Sequence, residues 1–289
     1  MNKKIALVTG GYSGEAVISY KTALAIEKNI DRNKWDHFKI DIRPDGWFYL
    51  HPDGEQFPVD KNDFSITING DKIVFGAVLI ALHGTPGEDG KLQGYFDCLK
   101  IPYSSCDAAT SALTFNKRYT VAVASYAGMH VARSLHLFRD EPMTPDVILS
   151  TLQLPLFVKP NNGGSSIGMS KVKLAEELPD ALVKAFKEDD QVLVEEFISG
   201  REFTIGLFRS NRKIISLPIT EIFPKMNSLI MRQNTWEQAK RSHPQGLVKT
   251  LPARSGKKPE GLIRFLIAEV LFAWIIFMMK IQHSPACWK

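Results

Sequence analysis

The chain has 289 residues, of which 44% are apolar and 23% charged, with a formal net charge of +5. This length allows two or three domains, and the composition is that of a globular protein, which excludes a disordered or collagen-like chain. Three cysteines without metal-type spacing argue against a disulfide framework, and the N-terminus runs into a strand without a signal-peptide pattern. We therefore expect a cytoplasmic protein.

The positive charge is confined to the C-terminal part of the chain. Eleven of the 36 Lys and Arg residues and three of the 31 acidic residues lie in 223–289, which contains no Asp. The first 222 residues hold 25 basic and 28 acidic residues, a net charge of −3. We therefore expect neither a nucleic-acid nor a membrane partner, and the composition changes near residue 222.

The N-terminal segment has the pattern of a parallel α/β unit. Ile5–Thr9 is a short apolar run, Gly10–Glu15 a tight turn, and Ser19–Glu27 a helix. Glu15 either complements the dipole at the start of this helix or holds a ligand's ammonium group. Short strands are predicted at 36–41 and 47–50, with a turn at Pro52–Gly54.

A second ligand-facing loop is predicted at His83–Gly90. It follows the apolar strand Val74–Leu82 and contains one histidine, three glycines and two acidic residues. Glu88 and Asp89 are candidates for ligand contacts or for caps of the following helix.

The remaining predicted elements alternate between helices and strands. Helices are predicted at 91–100, 107–127, 142–152 and 175–188, with an edge strand at 101–103 and further strands at 154–158, 191–198, 200–206 and 213–219.

The segment Lys159–Lys171 reads K-P-N-N-G-G-S-S-I-G-M-S-K and follows an apolar strand. Its glycines, hydroxyls and backbone N–H groups could surround an anion, and Lys159 needs an anionic partner at the end of a buried strand. The alternative is a hairpin with a Gly/Ser-rich tip. It lacks the Walker A pattern, so our hypothesis is phosphate binding of another type.

Six strings in order resemble the D-alanine–D-alanine ligases of the ATP-grasp superfamily. They are G-G-Y-S-G-E (10–15), H-G-T-P-G-E-D-G-K-L-Q-G (83–94), I-P-Y-S (101–104), F-N-K (115–117), V-K-P-N-N-G-G-S-S-I-G-M (158–169) and V-E-E-F-I-S-G-R-E-F-T (194–204). The resemblance covers residues 1–222. It implies an α/β ATP-grasp fold and ligation of two D-alanines through an acyl phosphate, for peptidoglycan synthesis, cell-wall biogenesis and cell shape.

The resemblance also assigns candidate site residues. Glu15 would bind the ammonium group of the first D-alanine, His83 would lie beside its carboxylate, and Ser165 would orient Glu15. The ATP-binding set would be Lys117, Lys159, Gly163, Gly164, Ser165, Ser166, Glu195, Glu196, Ile198 and Glu202. For Glu196, a solvated strand end is the alternative.

The resemblance further implies domain boundaries and an assembly. An N-terminal substrate domain would cover 1–113, a central ATP-grasp subdomain 114–195, and the start of a C-terminal subdomain 196–222. The expected partners are D-alanine and ATP with Mg²⁺, and the assembly a homodimer. D-alanine–D-lactate ligases share these motifs, so the second substrate stays open.

Residues 223–289 depart from the family. The Arg, Asp, Glu and Asn that hold two Mg²⁺ ions in the family are not found there, so no metal ligand is assigned in this chain. Read in a displaced frame, 223–247 includes D-Y-E-A-K-Y and 265–282 includes R-V-D, strings similar to the missing segments. We hypothesise a frameshift near codon 222, which makes a catalytically inactive, binding-only remnant the alternative function.

A membrane anchor is the other interpretation of the tail. Leu262–Ile281 is mostly apolar but includes Arg264 and Glu269, and its uninterrupted apolar run, Val270–Met279, is shorter than the roughly 20 residues that span a bilayer. An unpacked, aggregation-prone segment is favoured over an anchor.

Overall fold

The structure is a computed structural model that describes residues 3–210, 213–216, 220–222 and 279–281. The contacts divide the chain into two units. The described residues of unit 1 are 3–120 and 162–165, and those of unit 2 are the remainder. The tip of the Gly/Ser loop, 162–165, therefore belongs to unit 1.

Unit 1 contains a seven-stranded sheet with the strand order β6-β5-β4-β3-β2-β1-β7. In chain order these strands are β1 Lys3–Gly10, β2 Trp35–Arg43, β3 Gly46–Leu50, β4 Gln56–Asp60, β5 Ser65–Ile68, β6 Asp71–Ile73 and β7 Ala77–Ile80. β1 is parallel to both β2 and β7, whereas the pairs from β2 to β6 are antiparallel. The C-terminal ends of β1 and β7 therefore lie side by side, as ligand-binding α/β sheets require.

Helices cover both faces of this sheet. Helix α1, Ala16–Asn29, lies on one face and α2, Lys91–Leu99, on the other. α3, Ala108–Phe115, contacts α2, and α4, Lys117–Tyr126, begins in unit 1. Phe96 of α2 packs its ring edge-on against Phe64, with centroids 4.8 Å apart, and both side chains are fully buried. Burying each such side chain contributes about 1.5–3 kcal/mol. On the other face, Ala23 of α1 packs with Leu7 and Ala81.

Unit 2 contains a four-stranded antiparallel sheet with the order β10-β9-β11-β8. Its elements are β8 Ser134–Phe138, α5 Pro145–Thr151, β9 Leu156–Pro160, β10 Ser170–Val172, a 3-10 turn at Ala175–Glu177, α6 Leu178–Phe186 and β11 Gln191–Glu196. Leu156 and Val158 point into the core with Leu178 of α6. Because side chains alternate along a strand, Phe157 and Lys159 share the opposite face.

Five short strands complete the described part of unit 2. They are β12 Arg201–Thr204, β13 Leu207–Ser210, β14 Lys213–Ser216, β15 Thr220–Ile222 and β16 Met279–Ile281. β12 pairs antiparallel with both β15 and β16. The remainder of the tail, including the displaced-frame segments and nearly all of 262–281, lies outside the described residues. Within the described residues, no helix is long and apolar enough to cross a membrane.

The structure corrects several predicted elements. The single helix predicted over 107–127 is two helices separated at Asn116, whose Oδ1 accepts a hydrogen bond of 3.0 Å from the N–H of Tyr119 in α4. The strand predicted over 74–82 is limited to β7, and Val74 is 61% exposed. The predicted edge strand at 101–103 is one bridge between Tyr103 and Val78. Eight of the described strands were not predicted: β4, β5, β6, β8, β10, β13, β15 and β16.

Candidate active site

The first cluster in unit 1 surrounds the carboxylate of Glu15. Glu15 follows the turn after β1 and is the last residue before α1. Its side chain is only 5% exposed. The turn is held by hydrogen bonds from the N–H of Gly11 to the carbonyl of Ile42 and from the N–H of Tyr12 to the carbonyl of Thr85, at 2.7 and 2.9 Å.

Two glycines and a serine enclose this carboxylate. Ser165 Oγ donates to Glu15 Oε1 at 3.2 Å. A Cβ atom on Gly84 would lie 2.6 Å from Oε2, and one on Gly164 would lie 2.8 Å from Oε1, so any larger residue would displace the carboxylate. None of the ion pairs in the described part of the chain includes Glu15. A buried carboxylate in this environment favours a cationic ligand.

His83 lies in the loop after β7 and is held by α1. Its backbone N–H donates to Ser19 Oγ at 2.8 Å, and its ring Nε2 lies 2.9 Å from Thr22 Oγ1. Burial lowers the pKa of His83, and the charge of Glu15 partly offsets this shift. The imidazole is therefore neutral near pH 7 and can donate one hydrogen bond. Ser19 and Thr22 were missed from the sequence, where the available signal was two hydroxyls three residues apart on one helix.

Glu88 and Asp89 brace their own loop. Glu88 Oε2 accepts from the N–H of Gly84 at 2.7 Å, so the interpretation of Glu88 as a cap of α2 is wrong. Desolvation, with smaller contributions from the charges of Glu15 and Asp89, raises the pKa of Glu88 to about 7, and the hydrogen bond from the N–H of Gly84 opposes this shift. Part of the residue is exposed to solvent, which screens these interactions. Asp89 contacts the hydroxyl of Thr85 and also accepts from the N–H of Lys91 at 3.3 Å, as a cap would.

The Gly/Ser loop is tied to the start of α4. Lys117 Nζ donates to the carbonyl of Gly163 at 2.7 Å, and Asn116 Nδ2 donates to Asn162 Oδ1 at 3.3 Å. Gly163 and Ser165 have left-handed backbone angles, φ +90° and +51°. Ser166, in unit 2, has φ +57° and is exposed. Successive residues in these conformations can turn backbone N–H groups toward an anion.

In unit 2, Lys159 of β9 and Glu195 of β11 form a polar patch on one face of the sheet, whereas Glu196 lies on the opposite face. Lys159 Nζ lies 2.5 Å from Glu195 Oε1. The anionic partner that we expected for Lys159 is therefore a residue of the chain itself. Phosphate binding therefore does not follow from the position of Lys159 alone. Glu196 accepts from the N–H of Gln153 at 2.9 Å, which does not fit a merely solvated strand end.

Aromatic side chains missed from the sequence flank this polar patch. Lys171 Nζ lies 3.3 Å from the ring centroid of Phe197 and 5.8 Å from that of Phe157, within cation–π range. Ile198 is half-buried just after β11. The main chain of Glu202 lies in β12, opposite Ile222 and Lys280.

No group of three His, Cys, Asp or Glu side chains within the described ranges could hold a metal ion. The segment in which the resemblance expects the Mg²⁺ ligands, 223–289, lies outside the described residues except for 279–281.

Two family models match the chain. The D-ala D-ala ligase N-terminus model matches residues 4–106, and the D-ala D-ala ligase C-terminus model matches residues 116–244. A D-alanine--D-alanine ligase of Flavobacterium johnsoniae is 44% identical over 220 residues, which are 76% of this chain and 68% of that protein.

Solved structures agree with the family models. VanG D-Ala:D-Ser ligase from Enterococcus faecalis has a TM-score of 0.71 at 28% identity, covering 92% of this chain and 83% of its own. D-alanine--D-alanine ligase from Bacillus anthracis complexed with ATP has a TM-score of 0.59 at 28% identity, covering 76% and 66%. The chain therefore belongs to the D-alanine–D-alanine ligase family, a family of ATP-dependent ligases with the α/β ATP-grasp fold.

Proposed function

We propose that the protein ligates two D-alanines at the expense of ATP, for peptidoglycan precursor synthesis in the cytoplasm. The carboxylate of the first D-alanine attacks the γ-phosphate, which forms an acyl phosphate and releases ADP. The amine of the second D-alanine then attacks the acyl carbon, and the tetrahedral intermediate expels phosphate as the peptide bond forms. D-Lactate as the second substrate would follow the same steps with its hydroxyl group.

The enclosed carboxylate of Glu15 is the observation that carries this proposal. It is buried, shaped by Gly84 and Gly164, and bonded to Ser165. An α-ammonium group supplies both the charge and the N–H donors that such a carboxylate needs. The neutral imidazole of His83 would donate a hydrogen bond to the α-carboxylate of the same amino acid.

The nucleotide would be held by cations and by backbone groups. Lys117 and Lys159 would neutralise phosphate oxygens after leaving their present partners, and Gly163–Ser166 would close over them. Glu195, Glu196 and Ile198 would contact the adenine, and Glu202 the ribose hydroxyls. We propose 1–113 as the substrate domain, 114–195 as the central ATP-grasp subdomain and 196–222 as the start of the C-terminal subdomain, the last two holding the nucleotide.

A binding-only remnant is the second candidate, favoured by the composition of 223–289. That segment holds no Asp, so it cannot supply the family's metal-binding Asp. We attribute it to a frameshift near codon 222. Resequencing the locus tests this origin: a second-frame continuation with the family motifs supports it, and its absence overturns it.

Phosphate release separates the two candidates. The chain as written, supplied with ATP, Mg²⁺ and D-alanine, is compared with a version whose C-terminus is re-framed. D-Alanine-dependent release by the chain as written would establish an active ligase. Release by the re-framed version alone would support the remnant. Release by neither would contradict the ligase function. Sedimentation of both versions tests the proposed homodimer.

A further inference from the structure

Helix α1 offers two hydroxyl groups to His83 from one face. Ser19 and Thr22 are three residues apart, so both side chains project toward the same side of the helix. Ser19 Oγ accepts the backbone N–H of His83, and Thr22 Oγ1 contacts ring Nε2 at 2.9 Å, across 61 residues of sequence. Glu15 stands at the start of the same helix. One helix therefore positions both His83 and the carboxylate of Glu15.

The contact with Thr22 leaves the other ring nitrogen of His83 available. A neutral imidazole has one N–H donor and one lone-pair acceptor, and its hydrogen-bond partners decide which nitrogen carries the proton. No described residue forms a hydrogen bond or an ion pair with Nδ1 of His83. If Nε2 kept the proton, Nδ1 would direct a lone pair at a ligand carboxylate and repel it.

We propose that Thr22 is a positioning residue whose hydroxyl donates a hydrogen bond to Nε2 of His83. This bond holds the imidazole as the Nδ1–H tautomer. Nδ1–H then donates to the carboxylate of the bound amino acid. The identity of that ligand rests on the proposed function, whereas the tautomer is a property of the chain itself. In this proposal Thr22 acts only through its contact with His83.

Nitrogen-15 NMR of the full chain with labelled histidine tests the tautomer directly. A two-bond proton–nitrogen correlation spectrum shows which ring nitrogen is protonated, and His83→Gln identifies the signal. We expect Nδ1–H in the unmodified chain and in Thr22→Ser, which keeps the hydroxyl. Thr22→Val should shift the population toward Nε2–H. As a matched control, Thr114→Val removes a hydroxyl that bonds only to helix backbone carbonyls and should change nothing.

Titration with D-alanine then tests the consequence for binding. Thr22→Val should weaken D-alanine binding about tenfold, because the hydrogen bond from His83 to the ligand carboxylate is lost. Thr22→Ser, which keeps the hydroxyl, should bind D-alanine as the unmodified chain does. An Nε2–H tautomer in the unmodified chain, or a Thr22→Val variant with unchanged spectrum and affinity, would overturn the proposal. If the tautomer responds as expected but D-alanine does not bind the unmodified chain, the proposed function fails while the role of Thr22 stands.

Discussion

Two carboxylates in this chain have opposite surroundings. Glu195, in unit 2, forms an ion pair with Lys159 on the neighbouring strand. Glu15, in unit 1, is buried between glycines and receives a hydrogen bond from Ser165. Lys159 and Glu195 neutralise each other without a ligand, whereas no described residue forms an ion pair with Glu15. We therefore expect a cationic ligand at Glu15, whereas Glu195 already has a cationic partner.

The strongest test of this contrast removes the charge of Glu15. Glu15→Gln should weaken D-alanine binding by about 2 kcal/mol or more, roughly 30-fold in Kd, because the ligand ammonium loses its buried counter-charge. Calorimetric titration measures the effect. Glu27→Gln, which alters a carboxylate already paired with Lys39, is the matched control and should bind normally. Equal affinity for Glu15→Gln and the unmodified chain would remove Glu15 from the site.

Crowding the carboxylate without changing its charge should have a smaller effect. Gly164→Ala places a methyl group 2.8 Å from Glu15 Oε1, and we expect about tenfold weaker D-alanine binding with little change in Tm. Gly54→Ala is the control for backbone strain, because Gly54 has φ +98° and open space around it. It should destabilise the fold by about 1 kcal/mol and leave binding intact. The opposite pattern would mean that glycine serves only the backbone at position 164.

The neutral pair in unit 2 predicts opposite effects for its two partners. Glu195→Gln frees Lys159 and should tighten tripolyphosphate binding several-fold, about 1 kcal/mol, whereas Lys159→Met should weaken it by a similar amount. Tripolyphosphate is a suitable probe because it lacks the adenine that Glu195 is proposed to contact. Weaker binding by both variants would show that the pair acts as one structural unit.

The smallest expected effect concerns Glu88. Its pKa is raised to about 7 in the folded state, so the folded chain binds more protons than the unfolded chain between about pH 4.5 and 7. Stability from this group therefore falls as pH rises through that window. Glu88→Gln should raise Tm at pH 8 by about 2 °C, since solvent screening reduces the effect, and should change it little at pH 4.5. A Tm difference that is independent of pH would contradict the raised pKa.

Patterns within one element predicted much of unit 1. The apolar run of β1, the turn to Glu15 and the helix over 91–100 needed only local periodicity and glycine. The division of the predicted helix at Asn116 was missed because the apolar pattern continues across this residue. The side chain of Asn116 caps the start of α4, directly after the end of α3. β4 was missed because its five residues, Gln56–Asp60, include a proline, which is unfavourable within a strand, and only two other apolar side chains, Phe57 and Val59.

The site depended on contacts that local patterns cannot show. Lys159 and Glu195 are 36 residues apart and meet only because β9 and β11 pair in one register. Ser165 and Glu15 are 150 residues apart, and their proximity was expected from the family resemblance alone. The enclosing role of Gly84 was not anticipated, since a glycine in a loop has many explanations before its neighbours are known.

The most direct test of the Glu15 site is an NMR titration of the full, ATP-free chain with D-alanine, and with L-alanine as the chiral control. We expect saturable shifts of the Gly84, Gly164 and Ser165 amides with D-alanine and much weaker ones with L-alanine. Shifts spread over other parts of the chain, or equal responses to both enantiomers, would contradict the assignment of the Glu15 carboxylate as the D-alanine ammonium site.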